Sequence, residues 1–156
     1  TDMVLHSATH AFQEELANPL RDLLDLHELF AHFGEREPDF WATLPQRARQ
    51  LELTRPLFYA LRYTRRFLDT PVPDSVTQAL DHAAPPKPVL ALMDRLVDQV
   101  TQAEYPRRAA PATARWLLYI RSHWLRMPPL LLARHLSRKA LIRWQARRRN
   151  SNQAGA

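Results

Sequence analysis

The stretch NPLRDLLDLHELFAHFG, residues 18–34, predicts a helix with a marked start and a marked end. Asn18 is a preferred residue just before a helix, and Pro19 suits the first helical position. Gly34 can adopt the left-handed conformation that closes a helix. Between these ends the apolar residues recur with the helical period of 3.6, namely Leu20, Leu23, Leu24, Leu26, Leu29, Phe30 and Phe33. We expect the other helices to pack around this one.

The composition favours an all-α fold. The chain has 156 residues, 46% of them apolar, which suits one domain with a core of its own. Only 2 glycines stand against 13 prolines, and the prolines fall mostly between segments of helical period. We therefore predict a compact bundle of about seven to eight helices, with the last two forming a helical hairpin. The absence of cysteine excludes a disulfide framework and a thiolate zinc site.

The sequence also allows a prediction of where in the cell the protein is located. It contains no run of about 18 uncharged apolar residues, so no transmembrane helix is predicted. Its first residues lack the pattern of a signal peptide. These features predict a cytoplasmic protein, with attachment to the surface of a membrane as the alternative. The chain begins at Thr1 and enters a helical pattern at once, so we expect it to be a piece of a longer polypeptide.

Charge is divided unevenly along the chain. Residues 1–104 carry 10 basic and all 16 acidic side chains, which gives −6, and residues 105–156 carry the other 12 basic side chains and no acidic one, which gives +12. We predict an acidic helical core over residues 1–104 and a basic amphipathic helix pair over residues 105–149, packed on the same domain. Residues 150–156 are predicted to be a disordered tail.

Five polar residues of the first two helical segments are candidates for a functional surface. His6 and His10 lie one helical turn apart, a spacing that can chelate a metal. No glutamate of a metalloprotease motif accompanies them, so packing or hydrogen bonding is the favoured interpretation and we predict no metal site. Asp22 and Asp25 could form an acid–base pair. A favourable interaction with the helix dipole, with Arg21 beside them, is the preferred interpretation.

A second group of candidates lies on the helix predicted over residues 54–70. Arg62, Arg65 and Arg66 form a basic edge beside Tyr59 and Tyr63, a pattern that can contact phosphate or nucleic acid. A solvated face covered by aromatic rings is the favoured interpretation. Two aspartates of a later helix, Asp94 and Asp98, are predicted to lie on its outer, solvated side.

The last two helical segments are basic and amphipathic, and they carry Trp116, Trp124 and Trp144. The candidate polyanion-binding residues here are Arg134, Arg138, Lys139 and Arg143. Residues 107–149 fit the surface of an anionic membrane, and they also fit contacts to the phosphates of nucleic acid. The third alternative is that their apolar sides complete the core while the arginines face water. The sequence leaves all three open.

Four segments resemble the C-terminal part of the uncharacterised bacterial nucleotidyltransferase family, a branch of the polymerase-β-like nucleotidyltransferases. They are DMVLHSATHAF (2–12), PLRDLLDLHELFAHFG (19–34), FWATLPQRARQLELTRPLFYALRY (40–63) and SHWLRMPPLLLARHLSRKAL (122–141). In this family a mixed sheet domain with a Gly-Ser turn and two metal-binding carboxylates precedes an all-helical region. The resemblance implies that this chain corresponds to the helical region.

The chain departs from the family at the catalytic turn, because Gly34 precedes Glu35 and Gly155 precedes Ala156. No catalytic residue is therefore carried over, and the chain alone is not expected to be catalytic. The resemblance implies an accessory domain that positions substrate for an N-terminal catalytic domain of the same polypeptide. Magnesium and a nucleoside triphosphate would be cofactors of the parent protein, with none held by this chain. The alternative is a non-catalytic module that docks on an anionic membrane or nucleic acid.

Overall fold

A computed structural model of the chain describes residues 1–13, 18–103, 111–126 and 137–138. Within these ranges the structure contains helices and no strand, which confirms the prediction of an all-α bundle. The helices are α1 (Asp2–Gln13), α2 (Pro19–Arg36), α3 (Phe40–Gln50), α4 (Thr54–Leu68), α5 (Asp74–Ala79), α6 (Lys87–Gln102) and α7 (Ala112–Arg126), with a 3₁₀ turn at Asp81–Ala83 between α5 and α6.

The chain divides into two compact units, Thr1–Ser122 and His123–Ala156. The first unit holds α1 to α6 and most of α7. The described part of the second consists of residues 123–126, which end α7, and the helical pair 137–138. The first helix of the predicted hairpin corresponds to α7, whereas its second helix, apart from residues 137–138, and the tail over residues 150–156 lie outside the described residues. The domain boundaries placed after residues 104 and 149 stay predictions.

Two helices share the centre of the first unit. α2 packs against α1, α3, α4 and α6, and its Leu23, Leu26 and Phe30 are fully buried. α4 packs against α1, α2, α3 and the 3₁₀ turn, and it buries seven of its 15 residues. The expectation that the other helices pack around α2 is therefore incomplete, since α4 shares the centre with it. The reason is that α4 buries large aromatic side chains, Tyr59 and Tyr63, on a face that the sequence suggested was a surface.

The end of α2 differs from the prediction. Gly34 lies inside the helix with no left-handed conformation, and α2 continues to Arg36. A Cβ atom on Gly34 would lie 2.7 Å from the indole nitrogen of Trp41, so glycine is needed for close approach rather than for a turn. The helix stops because Glu37, which precedes Pro38, is extended, as residues before proline prefer to be.

The chain leaves α4 through a residue that favours an abrupt change of direction. Asp69 adopts the left-handed conformation (φ 51°, ψ 34°), and its amide donates a hydrogen bond to the carbonyl of Thr64. Aspartate is one of the few non-glycine residues that tolerate this conformation. The following segment is tied to α2, because Thr70 Oγ1 lies 2.9 Å from His27 Nδ1. This path places α5 against α3 and the 3₁₀ turn against α4.

None of the helices in the described ranges is both long enough and apolar enough to cross a membrane.

Candidate functional site

The surface edge of α4 carries three arginines, and the helical period explains why they share one side. Arg62, Arg65 and Arg66 are three and four residues apart, so their side chains leave the helix in one direction. Next to this edge, on the buried side of the helix, the rings of Tyr59 and Tyr63 stack 5.9 Å apart. Both tyrosines are almost fully buried, which corrects the prediction that they cover a solvated face.

The arginines meet carboxylates rather than water alone. Arg62 donates two hydrogen bonds to Asp94 of α6, from Nε to Oδ1 at 2.9 Å and from Nη2 to Oδ2 at 2.7 Å. The hydroxyl of Tyr63 donates a third to Asp94 Oδ1 at 3.1 Å. Such two-pronged contacts between arginine and carboxylate are among the stronger hydrogen bonds in proteins. They join α4 to α6.

The charges in this contact shift one another's pKa values. The hydrogen bond from Arg62 lowers the pKa of Asp94, and burial of Asp94 opposes this only in part. The same hydrogen bond raises the pKa of Arg62. Burial raises the pKa of the Tyr63 phenol well above its ordinary value, and the nearby carboxylate of Asp94 adds to the shift. The site therefore holds a charged pair beside a phenol that stays protonated at neutral pH.

The other two arginines of α4 differ in how exposed their ion pairs are. Arg66 Nη2 donates to Asp98 Oδ2 at 2.6 Å, and its Nη1 lies 3.8 Å from Asp94 Oδ2. Arg65 Nη1 contacts Asp74 Oδ1 at 3.1 Å, but the two side chains are 52% and 79% exposed. An exposed pair of this kind exchanges readily with water and contributes little to stability. Arg65 is thus the arginine whose partner is most easily replaced.

These contacts correct the prediction for α6. Asp94 and Asp98 are not on a solvated outer side, because they face the arginines of α4 across the helix interface. The helical spacing of Asp94 and Asp98 matches that of Arg62 and Arg66, four residues apart in each case. That match was visible in the sequence. The sequence does not show which helices become neighbours, so the pairing could not be assigned from it.

A pocket of about 410 Å³ lies beside this arginine edge. Its apolar lining consists of Phe58, Leu61 and Leu80, of which both leucines are buried. Its polar lining consists of the three arginines, Thr77 of α5 and Asp81 of the 3₁₀ turn. The size is that of a small-molecule site. The lining thus combines an apolar wall with guanidinium groups, one hydroxyl and one carboxylate, a combination that can bind a small molecule with an apolar body and a polar end.

The five candidates on α1 and α2 lie on adjoining helices. His6, His10, Arg21 and Asp25 are exposed, and Asp22 is half-buried in the first turns of α2. Arg21 Nε lies 4.0 Å from Asp25 Oδ2, so these two form an exposed pair along one helix. In the described part of the chain, no three His, Asp or Glu side chains are grouped so that they could hold a metal ion.

Sequence analysis overlooked Arg121 of α7 as an individual residue. Its Nη1 donates a hydrogen bond to the carbonyl of Phe12 at 2.7 Å, at the end of α1, where helix carbonyls lack partners within the helix. Its guanidinium lies 5.1 Å from the centre of the Tyr59 ring. Burial lowers the pKa of Arg121. Nothing in the local sequence separates it from Arg115, which is exposed on the same helix.

The basic C-terminal candidates are largely outside the described residues. Arg134, Lys139 and Arg143 belong to that part, whereas Arg138 is helical and exposed. On α7, Trp116 is 52% exposed beside the exposed Arg115. Binding of an anionic surface by residues 107–149 thus stays a prediction.

Comparison with known protein families finds a match over the first part of the chain. Residues 1–69 are similar to the uncharacterised nucleotidyltransferase family. This confirms the likeness to nucleotidyltransferases for three of the four quoted segments, while the segment 122–141 lies outside the match. The bacterial origin and the C-terminal position stay predictions. No curated protein and no solved structure matches the chain.

Proposed function

We propose that this chain is a helical, substrate-positioning part of a nucleotidyltransferase whose catalytic domain lies outside it. The observation that carries the proposal is the extent of the family match. It covers residues 1–69, which are α1 to α4 together with Asp69, the left-handed residue that closes α4. α1, α2 and α4 pack against one another, so the similarity follows a packed structural unit rather than a scattered set of residues.

In this proposal the polar surface of α1 and α2 meets the catalytic domain of the same polypeptide. His6, His10, Arg21 and Asp25 are exposed there, and exposed polar side chains can contact a partner domain without unfolding the bundle. Magnesium and the nucleoside triphosphate would be bound by the catalytic domain, where the metal neutralises phosphate charge during transfer. The residues of this chain would orient the bound substrate, a role in which small displacements change rates strongly.

The test is made in the parent protein with its catalytic domain present. Asp22→Ala should lower nucleotidyl-transfer activity by about tenfold or more while the thermal midpoint of unfolding changes little. Glu35→Ala is the matched control, because Glu35 is an exposed carboxylate near the other end of α2. Full activity in Asp22→Ala would remove this residue from the substrate-facing surface. Equal losses in both variants would point to a general effect of charge.

A second candidate function is docking on an anionic surface without catalysis. It is favoured by the exposed pair Arg115 and Trp116 on α7 and by the acid-free composition of residues 105–156. Cations beside an interfacial tryptophan suit a membrane surface, and the cations alone suit nucleic acid. The full chain should then bind vesicles containing phosphatidylserine, or single-stranded nucleic acid, with an affinity that falls steeply between 50 and 200 mM salt. Binding that is undetectable or indifferent to salt would rule this candidate out.

A further inference from the structure

The pocket beside α4 contains a hydroxyl group without a hydrogen-bond partner. Thr77 Oγ1 is buried and makes no hydrogen bond within the described structure. Thr64 and Thr9 satisfy their hydroxyls on the preceding turn, on Ala60 O at 2.8 Å and Leu5 O at 2.7 Å, whereas the Thr101 hydroxyl of α6 is unpaired like that of Thr77. A buried hydroxyl that is left unpaired destabilises the fold. Since Thr77 lines the pocket, a bound molecule is one source of the missing partner.

The charge around the pocket is concentrated on one available guanidinium. Arg62 and Arg66 are engaged by Asp94 and Asp98 of α6, so their charges are already balanced. Arg65 has only an exposed contact, with Asp74, that water or a ligand can displace. Asp81 is the opposing charge on the lining, and it is exposed, so its repulsion of an anion is screened.

We propose that this pocket binds a small molecule with a flat apolar body and one oxyanion, either a carboxylate or a phosphate. The body lies against Phe58, Leu61 and Leu80, and one oxygen of the anion accepts a hydrogen bond from the Thr77 hydroxyl. The oxyanion replaces Asp74 as the partner of Arg65. This inference goes beyond the proposed function, because it requires no catalytic domain and the pocket residues lie apart from the five candidates of α1 and α2.

The first experiment measures binding of simple probes to the full chain by calorimetry or by ligand-observed NMR. Phenyl phosphate and phenylacetate share a ring and differ in the oxyanion, so the tighter of the two identifies the preferred anion. Benzyl alcohol keeps the ring without the charge, and inorganic phosphate keeps the charge without the ring. At least one ring anion should bind with a Kd below about 1 mM and about tenfold more tightly than either control. Absence of saturable binding by both ring anions, or equal binding of benzyl alcohol, would overturn the proposal.

The second experiment uses variants whose effects differ in direction. Arg65→Gln should weaken binding of the ring anion by about tenfold, since it removes one charge-assisted contact. Binding of benzyl alcohol should stay unchanged. Arg36→Gln, at an exposed arginine of α2, is the matched control and should have no effect. Asp81→Asn should tighten binding. The opposite pattern, weaker binding in Asp81→Asn and tighter binding in Arg65→Gln, would mean that the pocket prefers a cation, and the proposal would fail.

Thr77→Val separates a binding role from a structural one. Valine keeps the branched shape but removes the unpaired hydroxyl. The free protein should therefore gain about 2–4 °C in Tm, while binding of the ring anion weakens about fivefold. If Thr77 had a purely structural role, Thr77→Val would change the Tm and leave the Kd of the ring anion unchanged. Unchanged affinity in Thr77→Val would remove this hydroxyl from the site and with it the proposal.

Discussion

Gly34 shows how one missing methyl group lets two helices approach. The ring of Trp41 packs against the backbone at this position. It is stacked 5.7 Å from the ring of Phe30 and meets the ring of Phe40 edge to face at 4.9 Å. These neighbours leave the indole little room to move. The close contact, rather than any turn, is therefore what demands glycine here.

Replacing this glycine should destabilise the protein in spite of alanine's higher helix propensity. Gly34→Ala places a methyl group 2.7 Å from Trp41 Nε1, so the ring must shift. We expect the free energy of unfolding to fall by about 1–3 kcal/mol in urea titrations, as for overpacked cores. The control is the same change in a Trp41→Phe background, where the smaller ring should remove most of the loss. A gain of about 1 kcal/mol, as at an exposed helical glycine, would contradict the prediction.

Asp94 should contribute to stability in a manner that depends on pH. Its contacts with Arg62 and Tyr63 lower its pKa below the ordinary value of 3.8. A carboxyl group with a depressed pKa stabilises the fold above the unfolded pKa, and this contribution is lost as pH falls through the folded pKa. Asp94→Asn should thus lower the free energy of unfolding by about 1–3 kcal/mol at pH 7.

The difference between wild type and Asp94→Asn should narrow as the pH falls below 3.8, because the wild-type carboxyl group then becomes protonated as well. Urea titrations between pH 7 and pH 2.5 measure it. Asp74→Asn is the control, since the exposed pair with Arg65 should contribute no more than about 1 kcal/mol. A difference that stays constant over this range would show that hydrogen-bond geometry, and not charge, is responsible.

At the scale of elements, residues 112–122 of α7 pack on the bundle through both apolar and polar side chains. Ala114 and Leu118 are the buried apolar residues of this part, and Arg121 reaches the end of α1. The guanidinium supplies a donor for the carbonyl of Phe12 and lies over the ring of Tyr59. A single polar side chain therefore connects α7 to both α1 and α4.

Arg121→Met should loosen α7 while leaving the rest of the bundle closed. Methionine keeps a long apolar stem but donates no hydrogen bond and carries no charge. We expect amide hydrogen exchange to accelerate over residues 112–122 more than over α4, with a loss of about 1–3 kcal/mol in the free energy of opening. Arg115→Met, at an exposed position of the same helix, should leave exchange unchanged. Similar acceleration in both variants would remove the special role of Arg121.

At the scale of the molecule, one hydrophobic core joins the matched segment to the residues that follow it. Val72, Val76, Leu96 and Val97, which lie beyond residue 69, belong to the same buried cluster as the core residues of α1 to α4. The similarity to the nucleotidyltransferase family ends at residue 69, but the core does not. The described part of the first unit should therefore unfold as one cooperative structure.

Val97→Ala tests this cooperativity. Val97 is fully buried on α6, so its truncation should lower the free energy of unfolding by about 1–3 kcal/mol. The slowest-exchanging amides of α1 and α4 should lose protection by the same amount as those of α6. Val89→Ala, at a position of α6 that is 47% exposed, is the control. A loss of amide protection that is confined to α6 would mean that residues 1–69 form a separate folding unit.

How far the sequence predicts this protein depends on whether a feature is local. The helical class and the start of α2 at Pro19 follow from the helical period and from the residues preferred at a helix start, and the structure agrees. The prediction that Tyr59 and Tyr63 cover a solvated face was wrong. A helix face that carries aromatic rings beside arginines is compatible both with a buried position and with a position at the surface. Only the neighbouring helices distinguish the two.

By itself the sequence determined an all-α bundle, the separation of charge at residue 104 and the likeness to a nucleotidyltransferase family over α1 to α4. The tertiary structure alone decided that Arg62 and Arg66 face Asp94 and Asp98, that Arg121 closes the end of α1, and that Thr77 and Arg65 line one pocket. The physical reason is the range of the interactions. Helical period and turn preferences act over a few residues, whereas these contacts join side chains that are distant in the chain and depend on how whole helices pack.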